Sequence, residues 1–256
     1  MKLRKIDKNH AFSYSLVSNY EGWLNADSDY RKYYDTSENP PDPAAFELEK
    51  KLQFYAQLFK LNVSKEYEKD DTALMLGKRF EDYLNMSNEL MRDETMFTFR
   101  SNKHVEYKVL FNDDFITLVN NRINAQPRRQ VEIKGVLPNG LNFIGYADEV
   151  YDNCIIDIKT TSNFKLSNYN TSLQMPLYLH FIDDFAVQRG FYQVTEFYRS
   201  KAAGKNEFTM KDTYMIESEK ITEKQLTHFS DLCMDMLNSV EYFENDLQNY
   251  KQYFNN

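Results

Sequence analysis

The stretch from Ile144 to Thr161 constrains the fold more than any other. It reads Ile-Gly-Tyr-Ala-Asp-Glu-Val-Tyr-Asp-Asn-Cys-Ile-Ile-Asp-Ile-Lys-Thr-Thr. β-Branched and aromatic residues fill both sides of Asp152-Asn153, a pair suited to a tight two-residue turn. A hairpin closed there sets Asp148 directly opposite Asp157. Strand side chains alternate between faces, so Ile144, Tyr146 and Asp148 share one face, as do Ile155, Asp157 and Lys159 on the next strand. Like charges opposed across a ladder are destabilising. A cation between them relieves the repulsion, and a divalent metal takes hard oxygen ligands. The plainer reading is a solvated hairpin in which Lys159 neutralises one acid. The apolar neighbours Cys154, Ile155, Ile156 and Ile158 weaken it, because a buried charge must be paired or bind a metal. Ile156 and Ile158 are left to face a helix on the opposite side.

A third acid lies upstream. In Met75-Leu76-Gly77-Lys78-Arg79-Phe80-Glu81, Gly77 and Glu81 are one helical turn apart and share a face. A glycine inside a helix costs about 1 kcal/mol relative to alanine. Close approach of another backbone is one reason to keep it, and Glu81 on that face reaches toward the hairpin. Taken alone, Glu81 also reads as an ordinary solvent-facing residue. Downstream, Gln174 and Tyr178 are again one turn apart, and Pro176 falls near the start of that helix, where its missing N–H matters least. By itself this pair reads equally as a buried tyrosine with a polar neighbour.

The rest of the chain frames these residues. A length of 256 residues suits one large domain, or a core with a helical elaboration. Asn39-Pro40-Pro41-Asp42-Pro43 is the clearest breaker. Helices are expected over about 44–61 and 72–91, strands within 95–112, and a helix over about 113–124. Strands come next over about 130–137, 141–151 and 154–160, as an antiparallel meander turning at Pro138-Asn139-Gly140. A helix over about 172–187, strands over 190–198 and 206–216, and a long helix over 222–245 complete the chain. In that last helix Leu226, Phe229, Leu232, Met236 and Leu237 form a stripe that reads as core or as an interaction surface.

No apolar run approaches the ~18 residues of a membrane span. The basic N-terminus leads into no apolar signal core, so a cytoplasmic protein is expected. Cys154 and Cys233 are expected to be buried thiols. Without Cys-x-x-Cys and with only 4 His, neither structural zinc nor an iron–sulfur cluster is expected. The net charge of −8 speaks mildly against a nucleic-acid binder. It does not exclude one, since a metal-dependent active site is acidic until its metals bind.

Taken together, Gly77-x-x-x-Glu81, Gly145-x-x-Asp148, Ile155-Ile156-Asp157-Ile158-Lys159-Thr160 and Gln174-x-x-x-Tyr178 resemble the RecB-like branch of the PD-(D/E)xK nuclease superfamily, which includes phage exonucleases similar to lambda exonuclease. Four motifs in order over residues 77–178 are far more specific than any one of them. The resemblance implies an α/β fold of the restriction-endonuclease-like kind, a central mixed sheet with helices on both faces. It implies that Asp148, Asp157, Glu81 and the backbone carbonyl of Ile158 hold Mg²⁺ or Mn²⁺. Lys159 would orient or activate the attacking water and stabilise negative charge, while Gln174 and Tyr178 would position DNA. Thr160 is assigned support rather than chemistry. Residues 1–70, expected as a mostly helical extension, and 200–256 lie outside the resemblance; 71–256 is expected as the nuclease domain, the whole forming one compact unit.

The expected function is a metal-dependent DNA exonuclease of phage or mobile-element recombination, acting in the host cytoplasm if phage-encoded. A recombination or single-strand-annealing protein is an expected partner, and a homo-oligomer is consistent with the resemblance. Two alternatives stay open: a structure-selective or restriction-type endonuclease on the same core, and a non-catalytic nucleic-acid-binding protein that keeps the fold. Glu132 is a further candidate carboxylate. Lys103, Lys108, Arg128, Arg129, Lys134 and Lys165 are candidate strand contacts, each also readable as a solvated charge.

Overall fold

The computed structural model describes residues 5–34, 40–64, 71–85, 96–112, 126–200 and 205–255. In chain order the elements are β1 (Ala11–Phe12), α1 (Tyr14–Leu24), α2 (Ala26–Tyr34), α3 (Pro43–Phe59), α4 (Thr72–Asn85), β2 (Met96–Arg100) and β3 (Glu106–Leu110). Then come β4 (Arg128–Val136), β5 (Asn142–Val150), β6 (Cys154–Thr161), α5 (Leu166–Asn170), α6 (Gln174–Phe181), β7 (Arg189–Arg199) and β8 (Glu207–Ser218). The chain closes with α7 (Glu223–Asn238), α8 (Val240–Leu247) and a 3-10 turn (Gln248–Tyr253). The expected helix over 113–124 and the end of the one over 72–91 lie outside the described residues.

The protein is mixed α/β, with a central mixed sheet of eight strands flanked by helices. Neighbours run β1-β5-β6-β7-β8-β3-β2, and β4 pairs with β5 off this path. β6 and β7 are parallel, joined through α5 and α6, because parallel neighbours need a crossover. β5–β6, β7–β8 and β2–β3 are antiparallel. The hairpin turn forms at Asp152-Asn153, where the Tyr151 N–H donates to the Cys154 carbonyl at 2.8 Å.

Two compact units share the chain. One comprises Met1–Glu68, Lys134–Gly145 and Thr222–Asn256; the other comprises Lys69–Ile133 and Tyr146–Ile221. The C-terminal helices therefore group with the N-terminal residues, not with the remainder of 71–256. Aromatic packing is the cause. Phe243 of α8 packs its ring against Tyr20, Trp23, Phe54 and Tyr55, at centroid distances of 5.2 to 6.1 Å. Phe229, Leu232 and Met236 of α7 are buried, so their stripe is core. The single helix expected over 222–245 is two. Ser239 ends α7 by donating its N–H to Asp235 and Met236, and its own carbonyl accepts from Phe243 in α8. Elsewhere Asp42 caps α3 through the Ala44 N–H, with Pro43 in the first turn, as the breaker cluster implies.

In the second unit, α4 and α6 lie on opposite faces of β6. Ile158 packs with Leu76 and Phe80 of α4, while the adjacent Asp157 bonds to Gln174 of α6. The helix expected to run to 187 stops at Phe181. Asp184 accepts the Ala186 N–H at 3.2 Å on its side chain, a local turn that competes with the helix. Both cysteines are free; Cys233 is buried and Cys154 half-buried. Among the described residues no helix is long and apolar enough to cross a membrane.

Candidate active site

The hairpin ladder registers Glu149 with Ile156 and Val150 with Ile155. The two-residue turn predicts this register, but not the arrangement at Asp148. Instead of a cross-strand pair with Asp157, Asp148 turns its carboxylate into the place of the next ladder bond. Its Oδ2 accepts the Ile158 N–H at 2.7 Å. The strands part there, and the side chains of both helices reach the opening.

Asp157 is 1% exposed. Its Oδ2 lies 2.7 Å from the Lys159 ammonium, and its Oδ1 accepts from Gln174 Nε2 at 2.9 Å. The same Gln174 nitrogen donates to the Tyr178 hydroxyl at 3.1 Å. The one-turn spacing of Gln174 and Tyr178 thus joins α6 to the carboxylate–lysine pair. From the other face, Glu81 of α4 accepts a bond from Gln130, whose amide also donates to Asp148 Oδ1 at 3.1 Å. Gly77 lets α4 come close: a Cβ there would lie 3.1 Å from Thr160 Oγ1, so the close neighbour is a side chain rather than a backbone. An open cleft of about 530 Å³ runs along this helix, lined by Gly77, Lys78, Glu81, Gln130, Lys159 and Thr160.

Burial, and for Asp148 and Glu81 also the neighbouring acids, shows in the acidities of these carboxylates. Burial, then the charge of Asp157, pushes Asp148 up to about 7, against the pull of the Ile158 amide. Burial likewise raises Asp157, opposed by Lys159. Glu81 is raised by burial, with Gln130 opposing and Asp82 and Asp157 adding to the shift. Burial works against the Lys159 ammonium, yet Asp157, and then Asp148, hold its pKa above the ordinary lysine value. Lys159 is therefore a cation at neutral pH. Burial also raises Tyr178.

The donor set suits a hard divalent cation: carboxylate oxygens, partly desolvated and mutually repelling. It is not a closed cage. Among the described residues no three His, Cys, Asp or Glu side chains form a metal-ready group. Asp157 contacts Lys159 and Gln174, whereas Glu81 and Asp148 are bridged by one amide; two oxygens with several lone pairs each leave all three carboxylates able to face a cation. The Ile158 N–H donates to Asp148, which leaves the role expected of its carbonyl untouched.

Of the other candidates, Glu132 accepts the Tyr146 hydroxyl at 3.1 Å, and Arg128 pairs with Asp184 at 2.6 Å. Two features escape sequence reasoning. Gln130 carries no motif. Glu149 is more deeply buried than Asp148, accepts the Tyr151 hydroxyl at 2.9 Å and lies 3.9 Å from Arg129. Strand alternation puts it on the opposite face from Asp148, and that parity is the one sequence signal of its burial.

Met175, next in the chain to Gln174, packs directly on Gly190. A Cβ at Gly190 would lie 2.5 Å from Met175 Cγ and 2.6 Å from its Sδ. Met175 is fully buried, and its N–H donates to the Tyr192 hydroxyl at 2.9 Å. Gly190→Ala is expected to destabilise the protein by about 1–3 kcal/mol in chemical denaturation, as overpacking does.

Fold and cluster together define a mixed α/β protein in which a buried aspartate pairs with a half-exposed lysine at the mouth of a split hairpin. No protein-family model matches the chain, and no curated protein does. Among solved structures that match is the crystal structure of SSO0001. It is 14% identical, over 90% of this chain and 78% of that one, with a TM-score of 0.44. A likeness of that size carries no argument about function.

Proposed function

We propose that this chain is a metal-dependent DNA nuclease of the RecB-like PD-(D/E)xK type, acting from strand ends. The observation that carries the reading is the linkage Lys159–Asp157–Gln174–Tyr178 beside the Asp148 carboxylate, bonded at 2.7, 2.9 and 3.1 Å. These four residues touch in turn, although they come from a strand and a helix, and Asp148 joins them through the Ile158 N–H.

Phosphodiester hydrolysis adds a water oxygen to phosphorus, breaks a P–O bond and returns a proton to the leaving oxygen. Negative charge gathers on the phosphoryl oxygens meanwhile. Glu81 and Asp148 would hold a divalent cation, which when bound supplies Lewis acidity at that phosphoryl group. Lys159, held protonated by Asp157, is placed to stabilise the charge as it develops. Its raised pKa makes it a poor base, so its part is electrostatic. Gln174 fixes the Asp157 carboxylate and so the direction of the ammonium. The protein would act in the cytoplasm on DNA, alone or as a homo-oligomer, with a recombination or annealing protein as partner.

The test uses end-labelled linear DNA and closed circles, with Mg²⁺ and with EDTA. Linear DNA is expected to be degraded only with metal, and circles spared. Asp148→Ala is expected to lose activity by about 10³-fold while staying folded. Cut circles would mean an endonuclease. Silence with Mg²⁺ and Mn²⁺ on single and double strands would leave a binding role.

A further inference from the structure

Gln130 bridges the two outer carboxylates with a single atom. Its Nε2 donates one proton to Glu81 Oε1 and the other, at 3.1 Å, to Asp148 Oδ1. The nitrogen thus stands where a cation shared by these two acids would stand. Its backbone is also unusual. Gln130 has φ +49° inside strand β4, a left-handed conformation that a non-glycine residue keeps only when its surroundings impose it. The side chain itself is exposed, so packing does not fix it in place. An amide is neutral. It offers two partly positive hydrogens to two oxygens, which makes it a weak stand-in for a divalent ion and one that can swing out to solvent.

We infer that the Gln130 carboxamide is a placeholder: it keeps Glu81 and Asp148 at cation-binding separation in the metal-free protein, and an entering divalent cation expels it. The inference rests on the reading of this site as a metal-dependent nuclease centre. The metal then competes with an internal group, so its apparent affinity is lowered by the fraction of molecules in which the amide is seated. Without either amide or metal, the two carboxylates repel each other uncovered.

The experiment is calorimetric titration of Mn²⁺ into the full chain without DNA, with melting curves in EDTA, for wild type, Gln130→Ala and Gln130→Lys. Gln130→Ala is expected to bind Mn²⁺ about tenfold more tightly, because two charge-assisted bonds no longer compete. In EDTA it is expected to melt below wild type. Gln130→Lys supplies a tethered cation, and is expected to melt above wild type in EDTA and to lose Mn²⁺ binding. Weaker Mn²⁺ binding by Gln130→Ala would overturn the placeholder and make the amide a ligand. Unchanged binding would make it a bystander and overturn it too. If no variant binds Mn²⁺ while all stay folded, the nuclease reading falls along with the placeholder. If wild type binds metal and cleaves DNA but Gln130→Ala matches it in affinity, the placeholder alone falls.

Discussion

Lys159→Ala is expected to abolish metal-dependent cleavage and to weaken the fold in the same step. For activity, removing the ammonium that pairs with Asp157 takes away charge stabilisation in a partly desolvated site, which is commonly worth about 10²–10³-fold. Lys159→Arg keeps the charge but not the shape, and is expected to recover only part of the rate, since a planar fork does not replace a point charge. For stability, the loss comes from the partner. Asp157 is 1% exposed and has Lys159 as its cation at 2.7 Å. Without it, Gln174 is the one donor to that carboxylate among the described residues, and a buried charge left unpaired costs several kcal/mol. The Lys159 side chain is 37% exposed, so water already screens part of the pair. The expected loss is therefore about 2–3 kcal/mol in chemical denaturation at pH 7. Adding Asp157→Asn to Lys159→Ala is expected to return most of the stability and none of the activity. A Lys159→Ala protein with wild-type stability would mean that Asp157 sheds its charge at no cost, and the ion pair would lose its structural meaning.

The sequence discloses the hairpin because three signals agree there: β-branched runs, a two-residue turn and side-chain parity. That agreement fixes the register through Glu149–Ile156. It does not reveal that Asp148 prefers the Ile158 N–H to a place opposite Asp157, since a side chain replacing a ladder bond leaves no mark on the alternation. Gln174 and Tyr178 are legible because helix geometry makes one-turn neighbours meet, and their hydroxyl–amide bond results. Gln130 is hidden for the opposite reason. Its importance comes from a positive φ in a strand and from partners 49 and 18 residues away, neither of which has a local signature. The grouping of the C-terminal helices with the first 68 residues is hidden too. An amphipathic stripe says that a face is buried but not against which partner, and the partners here are aromatic rings from α1 and α3.

Metal-free protein is expected to lose stability as pH rises from 5 to 8. Asp148 titrates at about 7 in the folded state against an ordinary 3.8, and Asp157 and Glu81 are raised as well. Between those values the folded protein holds a proton that the unfolded chain has released. Stability must then fall with pH, by about 1.4 kcal/mol per unit for each fully differing proton. The contribution is complete below about pH 4 and is lost as pH climbs through 7. From pH 5 to 8, Asp148 alone is expected to remove about 2–3 kcal/mol. The lowered acids Asp7, Glu196, Glu217 and Asp246 act with the opposite sign, but their ordinary values lie near 4, so their effect is already constant above pH 5. Denaturation of wild type and Asp148→Asn in EDTA at both pH values isolates the site. The variant is expected to show a flatter profile and to be the more stable protein at pH 8. Mn²⁺ is expected to restore wild type at pH 8 and to do little for the variant, because the cation replaces the proton that Asp148 has lost. A wild-type profile that stays flat or climbs from pH 5 to 8 would mean that these carboxylates are neither desolvated nor crowded in the folded protein, and the case for a cation between them would lose its electrostatic basis.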